Sequence, residues 1–458
     1  MTTVSHVPIP TSSPDLPPVE RQAALPAGFK AGGLAAGIKA SGRPDLAVIV
    51  TTDGPAAAAA VFTPNSLAAA PVRLSRAHLA ATSGDARGGF GWAEAIISTS
   101  GSANAATGPA GDGDQLEIAR LLAGATGAAI ERTLHLSTGI IGTRLPLDRV
   151  ASGLEALVPR LSAADAGMQM AAGALRTTDT VTKVSTTKVD LPGVDGEPVA
   201  VTISGIAKGV GMIHPQMATM LSVLLTDASA APETLWDLLR PAAARTWNQL
   251  SVDGDTSTND TVFLLASGAS GAVPVEPGTA AAGLLGAAIQ AVARDLARQQ
   301  AADGEGASTL ITTVVRGAGD DADARAIARA VVSSSLVKAA AHGRDPNWGR
   351  IAGAAGNGIL PSAAVLEAAG LTLNEAAARA GTPAIIDPAR LRIWIDGYLV
   401  FNGPAGGPAN FDRTAARAVM DAPEVLFTLD LGLGSGTGEA FGCDLTETYV
   451  IENSEYTT

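Results

Sequence analysis

A chain of 458 residues with a formal net charge of −13 is long enough for two or three domains around a buried core. Its acidity excludes nucleic acid as a partner, because that affinity comes largely from Lys and Arg neutralising phosphates. The apolar share is 47% but aromatics supply only 3%, so small side chains dominate, and no uninterrupted apolar stretch reaches the ~18 residues that a membrane span needs.

In chain order, residues 1–24 read as a disordered leader. "MTTVSHVPIPTSSPDLPPVE" holds several prolines and lacks the basic cluster and apolar core of a secretory signal. Strand-like runs follow at "LAVIVTT" (46–52), "AEAIISTS" (93–100), "VAVTISGIA" (199–207), "TMLSVLLT" (219–226) and "TVFLLASG" (261–268). Apolar residues recur at helical spacing in 114–125, 280–302 and 320–341. Asp195-Gly196, between the strand-like arms of 188–201, predicts a hairpin. The Gly/Pro/Ala stretch at 401–410 reads as a surface loop. An α/β protein with helices covering layered sheets follows from this alternation.

Cysteine and histidine usage narrows the chemistry. The one cysteine, Cys443, excludes an intrachain disulfide and a thiolate-rich metal site. The five histidines form no HxxxH pair, and no carboxylate cluster has calcium-loop spacing, so no metal is expected and a reducing cytoplasm is the expected compartment. "GLGSGTG" (432–438) fits neither GxGxxG nor GxxxxGK[ST], and there is no GxSxG elbow.

The stretch "GIAKGVGMIHPQMATM" (205–220) is different in kind. A threonine in a strand-like run is ordinarily a β-propensity choice. Here Thr219 follows a Gly-rich, Pro-containing segment that begins after Lys208 and bends the chain just ahead of Ala218-Thr219. Were the Ala218-Thr219 peptide cut, the new α-amine, with an ordinary pKa of about 8, could serve as general base for the hydroxyl of the same residue.

The segment resembles the self-cleavage site of the ornithine acetyltransferase family, the glutamate N-acetyltransferases of arginine biosynthesis. "VFTPN" (61–65), "STGIIG" (137–142), "TTDT" (177–180), "VDGDTSTNDT" (252–261), "DPNWGRI" (345–351), "CDLTETYV" (443–450) and "NSEYTT" (453–458) follow in the family's order, so the likeness spans roughly residues 25–458. It implies a layered α/β sandwich of the N-terminal-nucleophile-like type with a smaller C-terminal α/β domain. It also implies cleavage between Ala218 and Thr219 into an α chain (25–218, after the leader) and a β chain (219–458), assembled as a heterotetramer or a larger oligomer.

By the same resemblance, Thr219 Oγ takes acetyl from N2-acetylornithine and passes it to glutamate, with no metal or bound cofactor; acetyl-CoA as a second donor stays open. Thr138 and Gly139 align with the oxyanion pair. Thr177, Lys208, Glu305, Asn453 and Thr458 align with substrate contacts, Thr178 being an alternative to Thr177. Asp253, Asp255 and Asn259 read as turn organisers, and "DPNWGR" as a structural loop, although Asn347 could line the site. The chain departs from the family at Ser102 and Ala106, where asparagine and cysteine are usual, and at Thr309, where a lysine is usual; losing that cation would alter acyl preference. Three other readings remain: an amidase or aminopeptidase that passes the acyl group to water, a paralogue serving a secondary-metabolite pathway, and a scaffold that only binds amino acids.

Overall fold

The computed structural model describes residues 16–214 and 220–454. Three sheets organise them. The central six-stranded sheet runs, edge to edge, Phe90–Ala93, Ala56–Phe62, Thr261–Ala266, Leu221–Thr226, Pro198–Lys208 and Lys183–Pro192. Only the pair Leu221–Thr226 and Thr261–Ala266 is parallel. Both of those strands are buried along their full length, which suits their continuous Leu/Val/Phe composition.

Alternate residues of this sheet feed two cores. Ala57, Ala59 and Val61 meet the helices Pro232–Arg245 and Ala280–Ala302 on one side. Ala58, Ala60 and Phe62 face the helices Ala70–Ser83 and Asp165–Leu175 and, beyond them, a second sheet. That four-stranded sheet has the order Phe29–Leu34, Leu46–Thr51, Ala95–Ser102, Thr133–Ile140, and its far face is covered by Gly108–Thr126 and Leu147–Leu157. Helices and sheets thus alternate in layers, as the sequence predicts. The strand "AAAAAVF" (56–62) has helical composition but lies between packed layers on both faces, where small side chains fill the available space.

The seven-stranded third sheet, order Leu250–Ser251, Gly436–Cys443, Leu310–Ala318, Glu424–Asp430, Arg392–Ile395, Tyr398–Asn402, Gly407–Pro408, packs on Asp321–Ser333 and Trp348–Ala355. Ala280–Ala302 joins it to the central sheet. By length and composition that helix could cross a membrane, but its buried residues belong to the core, and Arg294 and Arg298 pair with Glu439 and Glu424 of the third sheet at 2.5 and 2.7 Å.

Three local expectations change. The helical pattern at 320–341 is two helices, Asp321–Ser333 and Ser335–His342, because the Ser334 side chain caps the second by accepting from Val337 N. Residues 401–410 are not a plain loop but the sheet edge, with Tyr398–Asn402 and Gly407–Pro408 paired. Of the expected leader, residues 1–15 lie outside the described residues, and residues 16–24 are built into the fold: Glu20 bridges to Thr186, and the Arg21 guanidinium grips the fully buried Asp295 carboxylate at 2.7 and 3.1 Å.

The hairpin at Asp195-Gly196 forms as expected, joining Lys183–Pro192 to Pro198–Lys208. The next connection places the site. Lys208 is the register partner of Leu221, so the chain leaves the central sheet at Lys208 and returns beside its own point of departure. Met220 O accepts from Thr261 N at 2.8 Å on re-entry.

Candidate active site

A cavity of about 400 Å³ opens where the second strand of this connection begins, lined among others by Thr138, Gly139, Lys208, Met220, Asp260 and Glu305. Residues from widely separated stretches converge here because the C-terminal end of Thr133–Ile140, the end of Pro198–Lys208 and the start of Leu221–Thr226 meet between the two layered sheets. The predicted cleavage pair Ala218-Thr219 and the tail residue Thr458 lie outside the described residues.

Thr138 and Gly139 end a strand that runs parallel to Ala95–Ser102. Gly139 has φ 132°, and a Cβ there would sit 2.3 Å from the Gly101 carbonyl carbon, so backbone packing at this turn requires glycine. The Asn259 amide bonds the carbonyls of Ala103 and Ser137 at 2.6 and 2.8 Å, fastening the Thr138-Gly139 corner to the neighbouring loop. Asn259 is therefore more than the turn organiser expected from its motif, and it lines the cavity.

Lys208 is 9% exposed, and its Nζ donates to Thr138 Oγ1 at 3.1 Å. Burial lowers its pKa, with Lys183 pulling the same way, against the opposing charges of Asp179, Glu305 and Asp260. Behind it lies a buried trio that the sequence reading missed. Lys183 Nζ is 2.6 Å from both Asp179 and Asp303. Asp179 also accepts from Gly209 N at 2.8 Å, fixing the first residue of the connection. Burial alone would raise the Asp179 carboxyl, but the Lys183 and Lys208 ammoniums outweigh it and hold it well below the usual carboxylate range.

Glu305 also lines the cavity. It accepts from Thr178 Oγ1 and Asn453 Nδ2, both at 3.0 Å, and its own N–H bonds Val210 O. Gly211 packs against it: a Cβ at that position would stand 2.2 Å from Glu305 Oε2. Asn453 reaches the cavity because residues Glu447–Ser454 form a helix that folds back. Thr177 and Thr178 both line the cavity, but Thr178 makes the contact to Glu305, while Thr177 N bonds Asp179.

Other expectations fall away from the cavity wall. Asp253 accepts from the N–H groups of Met212 and Ile213 at 2.5 and 2.9 Å, so it anchors the approach to the connection, and His214 is held there by Ser251 and Thr256. Asn347 caps the helix Trp348–Ala355. Thr309 is buried against Asp444, its N–H 3.0 Å from that carboxylate; the missing lysine position is absent from the lining. Ser102 Oγ donates to Thr143 O, just past the neighbouring strand Thr133–Ile140, and accepts from Asn104 N.

Asp260 is a second residue the motif concealed. It lines the cavity at 2% exposure, and its Oδ2 has no hydrogen-bond partner among the described residues. Burial pushes its carboxyl well above the ordinary value, against Ser257 hydrogen bonds and the Lys208 charge.

A sequence profile of the ArgJ family matches residues 30–458. The arginine biosynthesis bifunctional protein ArgJ of Thermosynechococcus vestitus is 44% identical over 435 residues, covering 94% of this chain and 96% of that protein. Its Gloeobacter violaceus counterpart is 42% identical, covering 94% and 96%. Among solved structures, the bifunctional protein ArgJ of Bacillus halodurans is 35% identical, covering 52% of this chain and 99% of that chain, with a TM-score of 0.45. A match over nearly the whole length, by profile and by relatives above 40% identity, makes this chain a member of the ArgJ family.

Proposed function

We propose that the chain cuts itself between Ala218 and Thr219 and then carries acetyl from N2-acetylornithine to glutamate on the Thr219 hydroxyl, a step of arginine biosynthesis. The observation that carries this reading is the Lys208–Thr138 hydrogen bond at a cavity wall that includes Met220, the residue next to Thr219 in the chain.

The chemistry follows from ordinary acyl transfer. The free Thr219 amine takes the hydroxyl proton while Oγ attacks the acetyl carbonyl. The carbonyl oxygen becomes an oxyanion facing the Thr138 hydroxyl and the Gly139 N–H. Because Lys208 donates to Thr138 Oγ1, the hydroxyl proton of Thr138 is free to point at the oxyanion. Collapse breaks the C–N bond, and ornithine leaves with the proton held by the amine. Glutamate nitrogen then attacks the acetyl ester, and the same groups act in reverse order. Each substrate carries an α-carboxylate and an ammonium, which Lys208 and Glu305 in the cavity lining complement. No step calls on a cofactor, and acetyl-CoA is an alternative donor for the same nucleophile.

Cleavage leaves the two chains sharing one sheet, since Pro198–Lys208 pairs with Leu221–Thr226 along six register positions from Ile203 to Lys208. The α and β chains therefore stay together; pairing of two such units gives a heterotetramer in the cytoplasm. The test is a product assay with N2-acetylornithine, with and without glutamate. N-acetylglutamate formed in step with ornithine supports transfer; ornithine and acetate at the same rate in both conditions would instead mean a hydrolase.

A further inference from the structure

A cluster of cations lies outside that cavity, under the helix Asp321–Ser333. Arg325 and Arg329 stand one turn apart, so their side chains share a helix face. Together with Asn248, Gln249, Ile359 and Leu366 they line a small cavity of about 20 Å³ between this helix, Pro232–Arg245 and Ala363–Ala368.

Both guanidiniums are poorly compensated. Arg325 is 8% exposed, and among the described residues its ion pair is with Asp321 at 3.7 Å, a carboxylate whose side chain is 55% exposed. Arg329 Nε and Nη2 are enclosed and meet no acceptor among the described residues. Burial draws both guanidiniums down, Arg329 to about 10; for Arg325 the Asp321 and Asp320 carboxylates oppose the shift and the like charge of Arg245 adds to it. The Arg329 charge is felt as far as His214. A guanidinium keeps its proton at neutral pH, and an enclosed charged donor without an acceptor costs more than a neutral one. Two like charges at this spacing add repulsion.

One particle would relieve all of this. A cavity above roughly 10–15 Å³ holds a single water-sized particle, and a monatomic anion is the smallest charged particle that matches this one in size. We propose that the Arg325–Arg329 cavity is a binding site for one halide ion, chloride under physiological conditions, which closes the charge of the helix Asp321–Ser333 against its neighbours.

The test uses the full-length protein. Crystals soaked in sodium bromide should show an anomalous peak within about 3.5 Å of Arg329 Nη2. In solution, Tm should rise with sodium chloride relative to sodium gluconate at matched ionic strength, and Arg329→Met, which keeps most of the volume, should abolish the chloride-specific rise. Absence of a bromide peak in the cavity overturns the proposal, as does a chloride-specific rise of equal size in Arg329→Met. A bromide peak without any chloride-specific rise in the native protein also overturns it, as an adventitious ion only. Should Arg329→Met fail to fold, the bromide map and chloride comparison on the native protein decide alone.

Discussion

Lys208 Nζ donates to Thr138 Oγ1 at 3.1 Å, joining the last residue of a central strand to the end of a strand in the other layered sheet. The bond orients a hydroxyl rather than holding the fold together. Thr138→Val should therefore leave Tm nearly unchanged and lower kcat about 10²–10³-fold, the usual effect of removing one oxyanion donor. Lys208→Met should lower kcat and also raise KM. Steady-state kinetics on both variants separates the roles; an unchanged kcat in Thr138→Val removes Thr138 from the reaction.

Glu305 and Asn453 meet in the lining of the cavity that also holds Lys208. Asn453→Ala should raise KM for the amino-acid substrates roughly tenfold with a smaller change in kcat, the pattern of lost ground-state binding. Gly211→Ala should act alike, because its Cβ would displace the Glu305 carboxylate. Equal losses in kcat and kcat/KM would assign these residues to the transition state instead.

The Asp260 carboxyl is pushed up by burial. A raised carboxyl binds its proton more tightly folded than unfolded, so its contribution to stability is complete below ~3.9, the unfolded value, and is lost as pH rises toward the folded value. Asp260→Asn should raise Tm at pH 8 while changing it little at pH 4. Thermal melts across that range check the sign, and a Tm gain confined to pH 4 would refute it.

The opposite sign applies to His135. Fully buried beside His78, it is pushed down to about 3, first by burial and then by the His78 charge. Its neutral form is favoured in the folded state, so stability is lost as pH falls below ~6.5, by about 1.4 kcal/mol per pH unit for this group. His135→Gln should flatten the acid limb between pH 6.5 and 4. An unaltered acid limb in that variant would contradict the assignment.

What could be read from the sequence was contiguous. The Asp195-Gly196 hairpin and the buried strands near 221 and 261 each occupy one short stretch whose pattern carries its own meaning, whereas Thr138-Gly139 and Lys208 are singled out by the family resemblance and not by their local pattern. What escaped depends on distance along the chain. Lys183 and Asp303 meet across 120 positions, and no local spacing announces that pair. Asp260 sits in a motif that looks like an Asx turn, and only burial separates it from Asp255, which is exposed. "AAAAAVF" reads as helix until the layers on both sides are known. The cation pair at Arg325 and Arg329 looks like an ordinary charged helix face, and becomes unusual only when three helices enclose it.

Self-cleavage is the central claim, and an intact-mass spectrum of the purified protein under denaturing conditions tests it most directly. Two species with the masses of residues 1–218 and 219–458 are predicted, with none of the 45.6 kDa precursor. The Thr219→Ala variant, lacking the hydroxyl, should give the single uncut mass and no transfer. A single 45.6 kDa species in a native preparation that still transfers acetyl would contradict the account, because Thr219 would then have no free amine to act as its base.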